Sequence, residues 1–222
     1  RAHCHTATAR ATGFWSDHVT WPAVDASRRV AFDSGHATTA GRLMGSTTVR
    51  FFPDHVLVKE PGATEPTPWH HDDPYYCVDG MQNVSMWIAL DPVPREHGLR
   101  FIAGSHRWGR RFVPRRFVDH VPYGSADDRF EQLPSDDELL DGQRVIGWDV
   151  EPGDVVAFHY RTLHGAPGNR STTRRRAVSL RWLGDDVTFG ERPWTVSPPY
   201  EPDGLRVGEP LGDDPRFPLV VP

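Results

Sequence analysis

The apolar runs of this chain are short, and glycine or proline recurs between them. Twenty glycines and 21 prolines in 222 residues favour short strands, turns and long loops over a helical bundle. Residues 47–52 and 55–59 read as two strands, with Pro53 and Asp54 as the turn between them. Residues 83–90 are apolar enough for a buried strand, and 99–102 form a shorter one. Residues 145–150 and 155–158 flank the turn Glu151-Pro152-Gly153-Asp154, and 177–183 read as a further strand. A helix is expected over 34–44, where Ser34 offers an N-cap and Ala37, Ala40 and Leu43 share a face. Residues 1–34 scatter aromatics among polar residues and read as irregular cover over a sheet. Many short strands with a few flanking helices predict a mainly β fold, a sandwich or barrel of the jelly-roll type.

The length fits one domain, with a core at about 47–183 and an irregular C-terminal wrap over 184–222 anchored by Phe189, Trp194 and Tyr200. Residues 107–142 change character. Arg107, Arg110, Arg111, Arg115 and Arg116 come first, and an acidic tract from Asp127 to Asp141 follows. The segment reads as an insertion between core strands. It is either solvated surface with self-neutralising charge, as charge runs usually are, or a lid whose arginines meet an anionic substrate. The net charge of −5 gives no general pull toward nucleic acid or membrane. No apolar run approaches membrane-spanning length. With only Cys4 and Cys77, a disulfide framework is not expected and a reducing cytoplasm is the default location. The chain opens at Arg1 without an initiator methionine or a signal-peptide pattern, so an N-terminal segment of the gene product is expected to be missing. His3, Cys4 and His5 at that start read as unstructured rather than as ligands.

The chemistry concentrates in Thr67-Pro68-Trp69-His70-His71-Asp72-Asp73-Pro74-Tyr75-Tyr76, dense in imidazole and carboxylate. Read as a strand, this stretch sends side chains i and i+2 to one face. His70 and Asp72 then aim at one point, as do His71 and Asp73. Either pair supplies two members of a 2-His-1-carboxylate set, which leaves metal positions open and suits non-haem Fe(II). His159 and His164 are both available as the second histidine. Eleven residues beyond His164 lies Arg175, which a hairpin of that length brings alongside the strand carrying His164. A guanidinium there can pair two-pronged with a carboxylate. Ser179 shares the strand face of Arg175, while Arg174 and Arg176 point the other way. Metal ligands beside a carboxylate clamp imply a small diacid that chelates the metal through its other end. Trp87 reads as a core aromatic and Lys59 as exposed or near the site entrance. His71 reads as a supporting side chain or substrate contact.

An ordered set of motifs resembles the phytanoyl-CoA dioxygenase family, a branch of the Fe(II)/2-oxoglutarate oxygenases. The motifs are Thr67-Pro68-Trp69-His70-x-Asp72, the run from Ser85 to Asp91, Gly104-Ser105-His106-Arg107, the run from Gly153 to His159, Leu163-His164-Gly165 and Arg175-Arg176-Ala177-Val178-Ser179. The match runs from about Val49 to Leu183, and the family's N-terminal part is not matched. The resemblance implies a double-stranded β-helix with iron on His70, Asp72 and His164, and it selects His70 over His71. It places the distal carboxylate of 2-oxoglutarate on Arg175, with Trp87 and Ser179 as further cosubstrate contacts. Tyr76 falls where other members carry an aromatic near the substrate. The implied activity is a dioxygenase using Fe(II), 2-oxoglutarate and O2 to hydroxylate an aliphatic C–H of a small molecule, such as an acyl-CoA, an amino acid or a secondary metabolite. Succinate and CO2 are released, and no nucleic-acid or membrane partner is implied. The carboxylate ligand Asp72 argues against halogenation. The alternative is a cupin-like metal-binding protein or a zinc-dependent hydrolase. Neither needs a buried carboxylate clamp, so Arg175 discriminates.

Overall fold

In this computed structural model, which describes residues 13–117, 119–200 and 204–221, strands dominate. His3, Cys4 and His5 lie outside the described residues. In chain order the strands are β1 (Phe14–His18), β2 (Val49–Lys59), β3 (Thr67–His70), β4 (Val78–Asp79), β5 (Asn83–Ala89), β6 (Arg100–Ile102), β7 (Val145–Ile146), β8 (Val155–Phe158), β9 (His164–Ala166), β10 (Arg175–Leu183), β11 (Thr188–Phe189) and β12 (Leu219–Val221). The helices are α1 (Asp25–Phe32), α2 (His36–Met44) and α3 (Asp136–Leu140). One antiparallel sheet runs β1-β2-β10-β5-β8, with β12 also paired to β2, and a second runs β3-β9-β6-β7. Side chains from both sheets line one cavity between them. The architecture is a double-stranded β-helix, as expected. Among the described residues, no helix is long and apolar enough to cross a membrane.

The larger sheet has two unlike faces. On β10, Val178, Leu180 and Trp182 join Met86 and Ile88 of β5 in a cluster packed with Ala31, Ala37 and Ala40 of the helices. Trp182 and Leu180 are fully buried there, and burying a side chain of that size contributes about 1.5–3 kcal/mol. The alternate residues Arg175, Ala177, Ser179 and Arg181 line the cavity. Pairing extends these positions into cross-strand rows. Phe14, Lys59 and Arg175 form one, and His18, His55, Ser179 and Trp87 another.

Several local expectations are corrected. Pro53 and Asp54 do not form a turn, because β2 runs unbroken through them. Between His55↔Ser179 and Phe52↔Arg181 the register shifts, so two residues of β2 oppose one of β10. This bulge accommodates the missing N–H of Pro53. It also changes which face β2 presents, since Phe51 packs toward the helices and His55 faces the cavity. Of the stretch read as irregular cover, residues 13–33 carry β1 and α1, and residues 1–12 lie outside the described residues. Ser34 does not cap α2. Gly35, at φ 76°, stands at that position with no side-chain cap, while the Ser34 hydroxyl bonds Val30 O and His36 Nδ1. The strand expected over 145–150 is only β7, and 184–222 carries β11 and β12.

The 107–142 segment is not a solvated surface run, for it buries Phe112, Val113, Phe130, Leu133 and Leu139. Most of its arginines already have partners, within the segment or on the neighbouring core. Arg110 pairs with Glu131 (2.6 Å), Arg111 with Asp73 (2.6 Å) and Asp79 (2.9 Å), and Arg116 with Asp119 (2.6 Å). Arg115 donates to Leu133 O at 2.9 Å. Ser135 and Glu138 form a capping box on α3.

Candidate active site

β3 ends at His70, and Asp72 is not on the strand. Its backbone is helical (φ −69°, ψ −35°) and it opens a short 3-10 turn over Asp73–Tyr75 with Pro74 inside it. Asp72 therefore returns toward His70 through a turn, not through strand alternation. His164 begins β9 and is the cross-strand partner of His70. Gly165 follows it where a Cβ would lie 3.1 Å from Thr67 O, a tight contact that a side chain here could make only if β3 gave by a few tenths of an ångström.

The donor atoms of His70, Asp72 and His164 lie within 4.8 Å of one another. Each histidine Nε2 is 4.0 Å from Asp72 Oδ1. His70 Nδ1 donates to Pro68 O (2.8 Å) and His164 Nδ1 to Thr162 O (2.9 Å). A carbonyl only accepts, so both Nδ1 atoms carry protons and both Nε2 lone pairs are free to ligate. Burial, chiefly, and the neighbouring His164 push His70 down to about 3, and burial also lowers His164. Burial by itself would raise the Asp72 carboxyl, but Arg181, His164, His70 and the Ser85 bond outweigh it and hold the group below its ordinary value. Two neutral imidazoles and a carboxylate are the donor set that a divalent iron takes. Ser85 Oγ donates to Asp72 Oδ2 at 2.5 Å, and Arg181 Nε lies 3.9 Å from the same oxygen. These contacts engage Oδ2, and Oδ1 is the oxygen facing both histidines. Ser85→Ala is expected to weaken Fe(II) binding by about tenfold, measured by anaerobic metal titration; an unchanged affinity means that Ser85 does not orient the carboxylate.

The cavity around these atoms has a volume of about 380 Å³. Arg175 lies along β10 from Arg181, two residues beyond Ala177. Its Nη1 donates to His97 O, no carboxylate among the described residues pairs with it, and burial pushes it down to about 10. Directly across the strand pair sits Lys59. Of the two expectations for Lys59, exposure is corrected, since it is 2% exposed, while it does line the cavity. Its Nζ donates to Glu65 O (3.0 Å) and Pro167 O (3.1 Å). Burial first, then Arg175, pushes it down to about 7. Arg175 and Lys59 thus share one end of the cavity, and among the described residues no carboxylate forms an ion pair with either. Period-two reading back from Arg175 onto β2 was the signal for Lys59, but it required the pairing of two strands far apart in sequence.

Trp87, Ser179 and Tyr76 line the cavity, with Arg181 over the Tyr76 ring at 5.0 Å. His71 does not line it. Its Nε2 accepts from Phe112 N at 2.9 Å, so it anchors the 107–142 segment instead of reaching the expected substrate position. Asp73 is likewise turned away, toward Arg111 and Arg161. His159 is held by Met81 O and Arg161 N, both at 3.0 Å. The 107–142 segment adds Arg116, Phe117, Asp119 and Tyr123 to the cavity wall, and Phe117 packs on His70 with centroids 4.7 Å apart.

A sequence profile of the phytanoyl-CoA dioxygenase family (PhyH) matches residues 8–177. The chain belongs to that family. Dioxygenase lolE1 of Epichloe uncinata is 31% identical to this chain over 128 residues, 57% of this chain and 43% of that protein. The chain spans under half the length of the curated relatives it matches. The crystal structure of SnoK, a non-heme alpha ketoglutarate dependent carbocyclase from nogalamycin biosynthesis, superposes with a TM-score of 0.70 at 27% identity, covering 93% of this chain and 76% of that one. The epimerase SnoN, solved with Fe3+, alpha ketoglutarate and nogalamycin RO, gives 0.71 at 26% identity, covering 94% and 78%.

Proposed function

We propose that this PhyH chain is an Fe(II)- and 2-oxoglutarate-dependent oxygenase that hydroxylates an aliphatic C–H of a small molecule. The observation that carries the reading is a single cavity with a 2-His-1-carboxylate donor set at one side and, at another, Arg175 and Lys59, which bond only to backbone carbonyls among the described residues. A cupin-like metal-binding protein or a zinc-dependent hydrolase, neither of which binds 2-oxoglutarate, would leave those buried cations without a purpose. His70, Asp72 and His164 would hold the iron. Iron bound there supplies chelation of 2-oxoglutarate and activation of O2, so that 2-oxoglutarate, O2 and R–H yield succinate, CO2 and R–OH.

The chain's own residues do the rest. Arg175 presents its fork to the distal carboxylate and Lys59 adds charge from the opposite strand. Ser179, two positions beyond Ala177 on the same face, offers a hydroxyl along the way. Phe158 packs on His164 with centroids 4.6 Å apart and shields that ligand from water, and Trp87 contributes to the same cavity wall. The test is anaerobic titration with Fe(II) and then 2-oxoglutarate, followed by succinate measurement in air. Saturable 2-oxoglutarate binding that requires the metal is expected. Metal binding without any 2-oxoglutarate response or succinate would overturn the reading.

A further inference from the structure

The charges lining the cavity leave none for a charged substrate. Lys59 and Arg175 hold the cosubstrate end, Arg181 sits by Asp72, and Arg116 pairs with Asp119. Much of the remaining wall is apolar, including Leu57, Trp87, Leu99, Phe117 and Phe158. A charge buried against such a wall without a partner costs several kcal/mol.

A second observation is independent of that charge balance. His18 and His55 face one another across β1 and β2, and their rings stack at 3.7 Å with 24° between planes. Arg181 Nη2 donates to His55 Nδ1 at 3.4 Å. A guanidinium only donates, so neutral His55 carries its proton on Nε2. Both imidazoles are held neutral, His55 by burial, His18 and Arg181, and His18 at about 3 by burial and Arg181. Yet His55 Nε2 and His18 Nδ1 are buried without a hydrogen-bond partner among the described residues. Native proteins seldom leave such groups unmatched unless a ligand or water completes them. The pair lies in the row that continues through Ser179 to Trp87, and Arg181 ties it to the carboxylate of Asp72.

We propose that the primary substrate is an uncharged, largely apolar molecule anchored by a hydroxyl or carbonyl oxygen at the His18–His55 pair. A hydroxyl suits both nitrogens, because it accepts and donates at once. The proposal rests on the oxygenase reading, and its test is repeated with metal alone so that the two can fail separately. Four probes of one skeleton are compared: methylcyclohexane, cyclohexylmethanol, cyclohexanecarboxylate and cyclohexylmethylamine. Their binding to the Fe(II)-loaded protein is measured by anaerobic calorimetry with saturating 2-oxoglutarate. The alcohol is expected to bind about five- to tenfold more tightly than the hydrocarbon, the worth of one neutral hydrogen bond. It should exceed the carboxylate and the ammonium by about thirtyfold or more.

His55→Phe keeps a stacking ring and should erase the preference for alcohol over hydrocarbon, and His55→Gln, which keeps a donor, should restore most of it. Equal or tighter binding of either charged probe would overturn the proposal. So would an unchanged alcohol preference in His55→Phe, or no binding of any probe. A separate 2-oxoglutarate titration without probe keeps the two readings apart. Its failure sinks the oxygenase assignment, while the probe ranking remains readable with metal alone.

Discussion

Asp72→Ala is expected to reduce iron-dependent succinate formation to background. It removes the anionic member of the donor set, so Fe(II) affinity should fall by more than about a hundredfold, beyond what loss of an outer partner costs. The variant also strips buried Arg181 of the carboxylate beside it. Leaving one partner of a buried pair costs about 3–5 kcal/mol, so the thermal midpoint should drop as well. Asp72→Asn keeps the shape and separates these two effects only in part, because Arg181 still loses a charge. The sharper comparison is Asp73→Ala. It abandons Arg111 and Arg161, at 2.6 and 3.3 Å, and should destabilise by about 3 kcal/mol or more while Fe(II) titrates as in the parent protein. Metal titration and thermal melts on the same samples read both quantities. If Asp73→Ala loses the metal and Asp72→Ala keeps it, the site belongs to His71 and Asp73.

Arg175→Ala should raise the 2-oxoglutarate concentration needed for uncoupled succinate formation by about two to four powers of ten, the equivalent of about 3–5 kcal/mol for a carboxylate left without its partner. Lys59 stands opposite and remains, which favours the lower end of that range. Arg175→Lys keeps charge without the fork and should fall between the variant and the parent. Arg174 and Arg176 serve as controls. They pair with Glu60 (2.9 Å) and Asp91 (2.7 Å) at the surface, where solvent screens the charges and little depends on either pair. Iron binding should survive in all four variants. A wild-type 2-oxoglutarate titration for Arg175→Ala would remove the clamp, and a large effect at Arg174 or Arg176 would move it by one register.

The candidate ligands were legible because His70, Asp72 and His164 sit in local motifs of distinctive composition. The geometry behind them was not. Strand alternation at 70–72 fails, since Pro74 and the 3-10 turn set the backbone of Asp72. β2 misled for a related reason. Pro53-Asp54 carries turn chemistry, and only the opposing β10 makes it a bulge. β1 gave no alternation signal because its inward residues, Phe14, Ser16 and His18, face a cavity of mixed polarity. In the 107–142 segment charge density masked five buried apolar side chains, which are spaced too widely for any periodic pattern. His18 and His55 matter together, and no window of sequence contains both.

The larger sheet carries a consequence for biosynthesis. β10 lies at its middle, between β2 and β5, yet it is made long after both. While the ribosome elongates through residues 90–174, β2 and β5 cannot pair with each other in the native arrangement, and each exposes an edge that waits for the same absent strand. Such edges invite pairing with other chains. Chaperone dependence should therefore concentrate in that interval, and nascent chains arrested before Arg175 should aggregate far more readily than chains arrested after Leu183 has cleared the exit tunnel.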